Sequence, residues 1–202
     1  MNILPDGAPA LTWDQDGDVG GDNGRAAGSG RGAVNAGMPG EDALAAAYGL
    51  RLASRRLHQA LAYWHGKRGN RLMPSRADLD PVEIPQLLPY VILIDVSGPP
   101  PDFRYRLLGT KVVSISAGDY TGMRLADLPG KGPGSVVWDN CLETVRRRAP
   151  FSRLPPYVGP DPDVRPGENL LMPLSRDGES VDMIFQVIDF TRPAGQTARP
   201  WS

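Results

Sequence analysis

Four prolines, followed directly by the most apolar run of the chain, constrain this sequence more than any other feature. They lie in MPSRADLDPVEIPQLLPYVILIDV, residues 73–96. Proline fixes φ and biases the residue before it toward extended geometry, so the approach to the apolar run is stiff. Residues 90–96 are apolar on both faces, which predicts a strand in the centre of a sheet. The prolines therefore predict a fixed angle between this strand and the element before it.

The first forty residues differ in composition from the rest. They hold ten glycines and almost no large apolar side chains, so burial cannot offset the entropy lost on ordering. We expect residues 1–40 to be a disordered glycine-rich tail and residues 191–202 to be a loose C-terminal tail. Between them the sequence predicts a flanking helix over residues 41–70 and a folded domain over residues 71–190.

The predicted helix over residues 41–70 has acids at its start and bases at its end, as the helix dipole favours. Small and apolar residues recur along it at spacings of three and four. This seam consists of Ala43, Ala46, Leu50, Ala53, Leu57, Ala60 and Trp64. Two interpretations are open: the helix packs on its own domain, or its first half pairs with a second copy to form a homodimer. In the second, Leu50, Ala53, Leu57 and Trp64 bind the partner.

Short strands and helices follow. Two strands are predicted over residues 90–96 and 103–109, joined by the short link SGPPPD. Short helical turns come next, then a longer helix within residues 133–150. Three strands close the chain over residues 151–159, 169–178 and 181–190. This order predicts an α+β domain, with a five-stranded antiparallel sheet, short helices on one face and the long flanking helix before it.

Four segments of the chain resemble a known family. They are LAYWHGKRGNRLMPSRADLDPVEIPQLLPYVILIDV, FRYRLLGT, GDYTG and LMPLSRDGESVDMIF, in this order. Together they resemble the PAS-like domains that occur as small stand-alone proteins in alphaproteobacteria, and the resemblance covers roughly residues 57–190. It implies the PAS fold and a sensory or regulatory module. It does not imply catalysis.

A PAS domain places its pocket between the inner face of the sheet and the short helices. The resemblance therefore implies a set of candidate ligand-binding residues: Tyr105, Leu107, Val113, Trp138, Met172, Met183 and Phe185. Aromatic and methionine side chains also fill cores that bind nothing, so an ordinary core stays open. The cofactor is unknown. Cys141 lacks the neighbours of a photoreactive flavin-binding cysteine, and no histidine follows His65 to hold haem.

Composition excludes several function classes. The formal net charge of −1 gives no overall attraction to nucleic acid or anionic membranes. A single cysteine excludes an internal disulfide framework and a thiolate metal cluster, and no apolar run approaches the ~18 residues of a membrane helix. No Ser/His/Asp or Cys/His arrangement indicates an enzyme. We expect a cytoplasmic, non-catalytic protein that binds neither membranes nor nucleic acid.

These observations predict a sensory or regulatory module that binds a small ligand between sheet and helices and signals through protein–protein contacts. The alternative is a ligand-free, dimerising adaptor that docks a signalling partner such as a histidine kinase. Arg76, in PSRADLDP, either contacts such a partner or pairs locally within a turn. A cavity among the candidate ligand-binding residues favours the ligand, and a filled core favours the adaptor.

Overall fold

The computed structural model describes residues 39–154 and 165–191. Its helices are Pro39–Ala47 (α1), Arg55–Arg68 (α2), Thr110–Ile115 (α3) and Val136–Arg147 (α4). Its strands are Val91–Ser97 (β1), Asp102–Leu108 (β2), Arg165–Leu174 (β3) and Met183–Thr191 (β4). The domain is α+β, as the sequence predicts. The two predicted tails lie outside the described residues, apart from residues 39, 40 and 191.

The four strands form one antiparallel sheet in the order β2-β1-β4-β3. β1 is an inner strand, and its first four residues are all buried, as its apolar sequence predicts. The predicted fifth strand, over residues 151–159, is represented by one antiparallel bridge from Phe151 to Leu171 at the β3 edge. Residues 155–159 lie outside the described part of the chain, which therefore shows four strands instead of five.

The prediction of one helix over residues 41–70 is wrong, because the chain breaks between α1 and α2. Gly49 adopts φ +67°, and the amides of Gly49 and Leu50 donate to the carbonyls of Ala46 and Ala45, each at 2.9 Å. These two bonds form the Schellman motif that ends many helices at glycine. Ser54 then caps α2 by accepting a hydrogen bond from the Leu57 amide. The regular apolar spacing concealed both end signals.

Helices cover both faces of the sheet. Residues paired directly across antiparallel strands share a face, and neighbours along a strand alternate. Leu93 pairs with Phe185, and the next residue, Ile94, pairs with Tyr105. We name the face of Leu93 and Phe185, which α2 covers, the outer face. We name the face of Ile94 and Tyr105, which α4 covers, the inner face.

The proline-rich segment holds the path from α2 into β1. Asp80 accepts a hydrogen bond from the Val82 amide at 2.9 Å and so caps the 3-10 turn Pro81–Glu83, as predicted. The last 3-10 turn of this segment, Leu88–Tyr90, runs into β1. Gly109, after β2, passes so close to this turn that a Cβ atom would clash with the backbone of Leu88 and Pro89. The turn is therefore fixed against the sheet.

Candidate functional site

Two of the seven candidate ligand-binding residues belong to the inner layer, by which we mean the inner face of the sheet together with the helix α4 that covers it. Tyr105 is buried on the inner face. Trp138, on α4, packs edge-on against Phe103, with the ring centroids 4.9 Å apart. Because Phe103 pairs with Val96, two residues beyond Ile94, this contact places α4 over the inner face. Tyr105 and Trp138 therefore lie where the PAS resemblance puts a pocket.

Three of the other five candidates lie on the opposite face of the sheet. Phe185 and Met172 are paired on the outer face, and Met183 shares that face beneath α2. Leu107 is 43% exposed at the edge strand, and Val113 is half-buried in α3. The prediction that all seven residues line one pocket is wrong, because Phe185, Met172 and Met183 lie on the outer face. The strand register decides which face a strand residue occupies.

Several side chains of the inner layer contact one another. Tyr105 stacks on Tyr120 with ring centroids 6.4 Å apart, and the Lys131 ammonium lies 5.5 Å from the Tyr120 centroid. Cys141 is fully buried, and burial raises the pKa of its thiol to about 12. A thiol held protonated in this way is unreactive at neutral pH.

Asn169 is the exception in this layer. Its side chain is 1% exposed, and neither its amide nitrogen nor its amide oxygen has a hydrogen-bond partner in the described part of the chain. It pairs with Ile188, which puts it on the inner face. Gln186, also buried, lies on the same face, diagonal to Asn169 across the β3–β4 ladder. An apolar and aromatic surface thus carries two carboxamides, one of them unpaired.

The candidate partner-binding residues are mostly buried in their own domain. Leu57 and Trp64 pack in the core beneath α2, and Leu50 is buried beside α1. Trp64 also donates its indole N–H to the Pro173 carbonyl at 2.8 Å. These three side chains cannot face a second copy while α1 and α2 are docked, so they belong to the chain's own core, whereas Ala43 and Ala46 of the same seam are exposed. Ala53 is exposed.

Arg76 is exposed and donates a hydrogen bond to the Leu79 carbonyl at 3.0 Å within its own turn. This contact corresponds to the local pairing that was one of its two predicted roles. Six arginines could offer a local basic surface to nucleic acid: Arg51, Arg55, Arg56, Arg146, Arg147 and Arg148. Arg56 pairs with Asp189, and Arg146 and Arg147 both pair with Glu143. Arg148 donates to the Glu179 carbonyl at 3.5 Å, so four of the six have partners within the chain.

Two carboxylates hold the start of α2 on the outer face. Glu168 accepts the backbone amides of Ala53, at 2.9 Å, and Ser54, at 2.7 Å. Asp189, its cross-strand neighbour, accepts the Ser54 hydroxyl and the Arg56 guanidinium. We call this pair of carboxylates the α2 clamp. The sequence gives no sign of it, because Glu168 and Asp189 meet only through the β3–β4 register.

A surface groove of about 510 Å³ lies beside the clamp, between α1, α2 and the linker of residues 48–54 that joins them. Its lining residues are Asp42, Ala45, Ala46, Leu50, Arg51, Leu52, Ala53, His58 and Glu168. The seven candidate ligand-binding residues are absent from this lining, whereas Leu50 and Ala53 of the partner-binding set belong to it. Over residues 39–154 and 165–191, no group of three or more His, Cys, Asp or Glu residues is arranged to hold a metal ion.

Comparison with known proteins gives one match. Residues 52–132 match the family model of a PAS domain. This part of the chain is therefore similar to a PAS domain. The match starts just before α2 and ends before α4, so it includes both β1 and β2 of the sheet. A PAS domain indicates a sensory or regulatory module in general terms.

Neither the curated proteins nor the solved structures yield a match. No helix within the described ranges has the length and apolar character needed to cross a membrane.

Proposed function

We propose that this chain is a non-catalytic, cytoplasmic sensory module whose PAS-like domain binds a small ligand against the inner face. The supporting observation is the unpaired amide of Asn169. Leaving a buried polar group without a partner costs about 1–3 kcal/mol, and such groups in folded proteins call for an explanation. A mainly apolar ligand with an amide-like or carboxyl edge would pair with this amide and pack on the neighbouring apolar residues.

Asn169 also lies one residue from the α2 clamp. Successive side chains of a strand point to opposite faces, so Asn169 faces the inner layer while Glu168 reaches the start of α2. A ligand that pulls on Asn169 would shift β3, and that shift would reach the amides of Ala53 and Ser54 through one carboxylate. The module would then signal through protein–protein contacts made by α1, α2 or the linker between them.

Native mass spectrometry tests this proposal. The full chain is purified from its native host, and its native spectrum is compared with the spectrum of the denatured protein. We expect the wild-type chain to retain a small molecule that denaturation releases. The variant Asn169→Leu should lose that extra mass and keep the fold. Equal retention by the variant would contradict the role of Asn169. Bare protein in every sample would favour the second candidate.

The second candidate is a ligand-free adaptor that dimerises or docks a signalling protein such as a histidine kinase. The contact of Phe103 with Trp138 and the complete burial of Cys141 favour it, because these side chains already fill part of the inner layer. Since Leu57 and Trp64 are buried, its contacts would use exposed residues such as Ala53 and Arg76. Light scattering against protein concentration tests the dimer.

The variant Arg76→Glu tests docking. Loss of partner binding with an unchanged circular dichroism spectrum would support a docking role for Arg76. Unfolding of the variant would support its local role, in which it bonds the Leu79 carbonyl.

A further inference from the structure

The groove beside the α2 clamp combines apolar side chains with acidic ones. Ala45 and Leu50 of its lining are buried, and Leu52 is half-buried. Asp42 and Glu168 line the same groove, together with one arginine of the linker. The groove therefore offers an apolar surface that carries two carboxylates against one guanidinium.

Neither carboxylate of the groove pairs with an arginine or a lysine among the described residues. Glu168 accepts the amides of the linker, and the Asp42 carboxylate, which is 60% exposed, lies 3.4 Å from Nε2 of His58. Asp189, next to Glu168 across the strands, does have a counter-ion in Arg56. The groove thus keeps negative charge that a basic segment can complement.

The residues that follow β4 have the complementary chemistry and start beside this groove. β4 ends at Thr191, two residues after Asp189, which accepts the Ser54 hydroxyl at the start of α2. We call residues 192–202, RPAGQTARPWS, the C-terminal segment. It holds two arginines and no acidic residue, and Trp201 is its only large apolar side chain.

The C-terminal segment is long enough to reach the whole groove. Trp201 is ten residues beyond Thr191, and an extended chain of that length spans about 33 Å. Helix α1, which forms one wall of the groove, has nine residues and is therefore about 14 Å long. The reach of the segment exceeds the length of this wall.

We propose that the C-terminal segment docks in the groove of its own chain, with the Trp201 indole on the apolar side chains and the Arg199 guanidinium on the Asp42 carboxylate. The indole supplies most of the buried apolar area, and the ion pair adds direction. Attachment at Thr191 gives the segment an effective concentration on the order of 1 mM at the groove. A contact of millimolar affinity is therefore enough to populate the docked state.

Docking of the C-terminal segment would cover the surface that we propose for signalling contacts. Arg51 and Ala53 of the linker are exposed and line the groove. A signalling partner that binds there must displace the segment, which makes the segment an internal competitor of that partner. This competition rests on the proposed function, whereas the docking itself requires neither a ligand nor a partner, so the two can fail separately.

A nitroxide spin label at the variant position Ser202→Cys reports where the C-terminal segment lies in the full chain. Cys141 is the one natural cysteine and is fully buried, so the label attaches at position 202 alone. Nuclear magnetic resonance measures the paramagnetic broadening of each backbone amide signal. We expect strong broadening in α1 and the linker. The β1–β2 turn, at the opposite end of the sheet from Thr191, should show none.

Variants of the C-terminal segment test its contacts while the described domain keeps its sequence. Trp201→Ala should lower the ratio of docked to free segment about tenfold or more, because the indole is no longer buried. Arg199→Glu should lower it about fivefold, since repulsion from Asp42 replaces attraction. Gln196→Ala is the control and should leave the broadening unchanged. Adding Asp42→Arg to Arg199→Glu should restore the broadening.

Three results would overturn the proposal. The first is equal broadening of α1 and the linker with and without Trp201→Ala, and the second is broadening centred on another surface. The third comes from a mixture of spin-labelled chains and ¹⁵N-labelled chains without the spin label, in which broadening would show that the segment docks on a second copy. If Asp42→Arg disturbs α1, the variants of Trp201 and Arg199 decide alone.

Discussion

The two faces of the sheet are built differently. On the outer face, Trp64 donates its indole N–H to a backbone carbonyl. The two carboxylates of the α2 clamp accept hydrogen bonds from two backbone amides, one hydroxyl and one guanidinium. On the inner face, apolar and aromatic contacts dominate, and the Asn169 amide has no partner in the described residues. The outer face thus holds a helix in place by paired polar groups, whereas the inner face contains a buried amide without a hydrogen-bond partner among the described residues. Such an unpaired group is expected where a protein binds something else.

The largest effect should come from breaking the outer face at Trp64. Trp64→Ala removes a buried side chain and the bond to the Pro173 carbonyl, so we expect the free energy of unfolding to fall by about 3–5 kcal/mol. Urea denaturation measures this. Leu72→Ala, at an exposed position, should change stability by less than about 0.5 kcal/mol. Similar losses of unfolding free energy in the two variants would contradict a stabilising role of Trp64 on the outer face.

The next effect should come from the α2 clamp. Glu168→Ala leaves the Ala53 and Ser54 amides without their acceptor, and we expect a loss of about 1–3 kcal/mol. Hydrogen exchange should localise the loss to the first turn of α2. Glu168→Gln keeps one oxygen acceptor and should restore part of the stability. Glu179→Ala, on an exposed turn, is the control. Uniform loosening of the whole domain would contradict a local clamp.

Two buried asparagines allow a test with opposite signs. Asn169→Leu removes an unpaired amide, so it should raise stability by about 1–2 kcal/mol in the absence of ligand. Asn140→Leu should lower it by a similar amount, because Asn140 bonds the Arg153 carbonyl at 2.8 Å and the Arg153 Nε at 2.7 Å. Thermal unfolding measures both. A loss in both variants would mean that Asn169 is as well satisfied as Asn140.

The smallest effect concerns the segment that connects α2 to the sheet. The Arg71 guanidinium, together with the Ser75 amide, lowers the pKa of Asp78 to about 2. The contribution of Asp78 to stability is therefore present above its ordinary pKa and declines as pH falls from about 4 toward 2. A carboxyl titration by NMR should show this midpoint, and Arg71→Gln should raise it. A wild-type midpoint near 4 would contradict the ion pair.

Local signals predicted the elements well where they coincide with packing. The apolar run of β1, the Asp80 cap and the short link between β1 and β2 all appear as the sequence indicates. The helix over residues 41–70 failed because a spacing of three and four continues across residues 48–54, while Gly49 and Ser54 end one helix and begin the next. Periodicity measures which residues are apolar, and it does not detect an interruption of the helix between them.

The candidate site was only partly predictable for a different reason. Tyr105 and Met172 look alike as candidates, yet register puts them on opposite faces of the sheet. Asn169 carries no composition or spacing signal. Its position becomes notable only when the surrounding side chains are in place and leave its amide unpaired. Long-range pairing decides both features, and a single sequence does not encode that pairing locally.

The Schellman ending of α1 and the separate cap of α2 also determine how the domain can open. The end of α1 and the start of α2 are capped by different residues. The amides of Gly49 and Leu50 cap the end of α1, and the side chains of Ser54 and of Glu168 in β3 cap the start of α2. Fraying of α1 therefore leaves no orphaned amide in α2 to spread the disorder. We therefore expect α1 to melt and re-form while the rest of the domain keeps most of its protection against exchange.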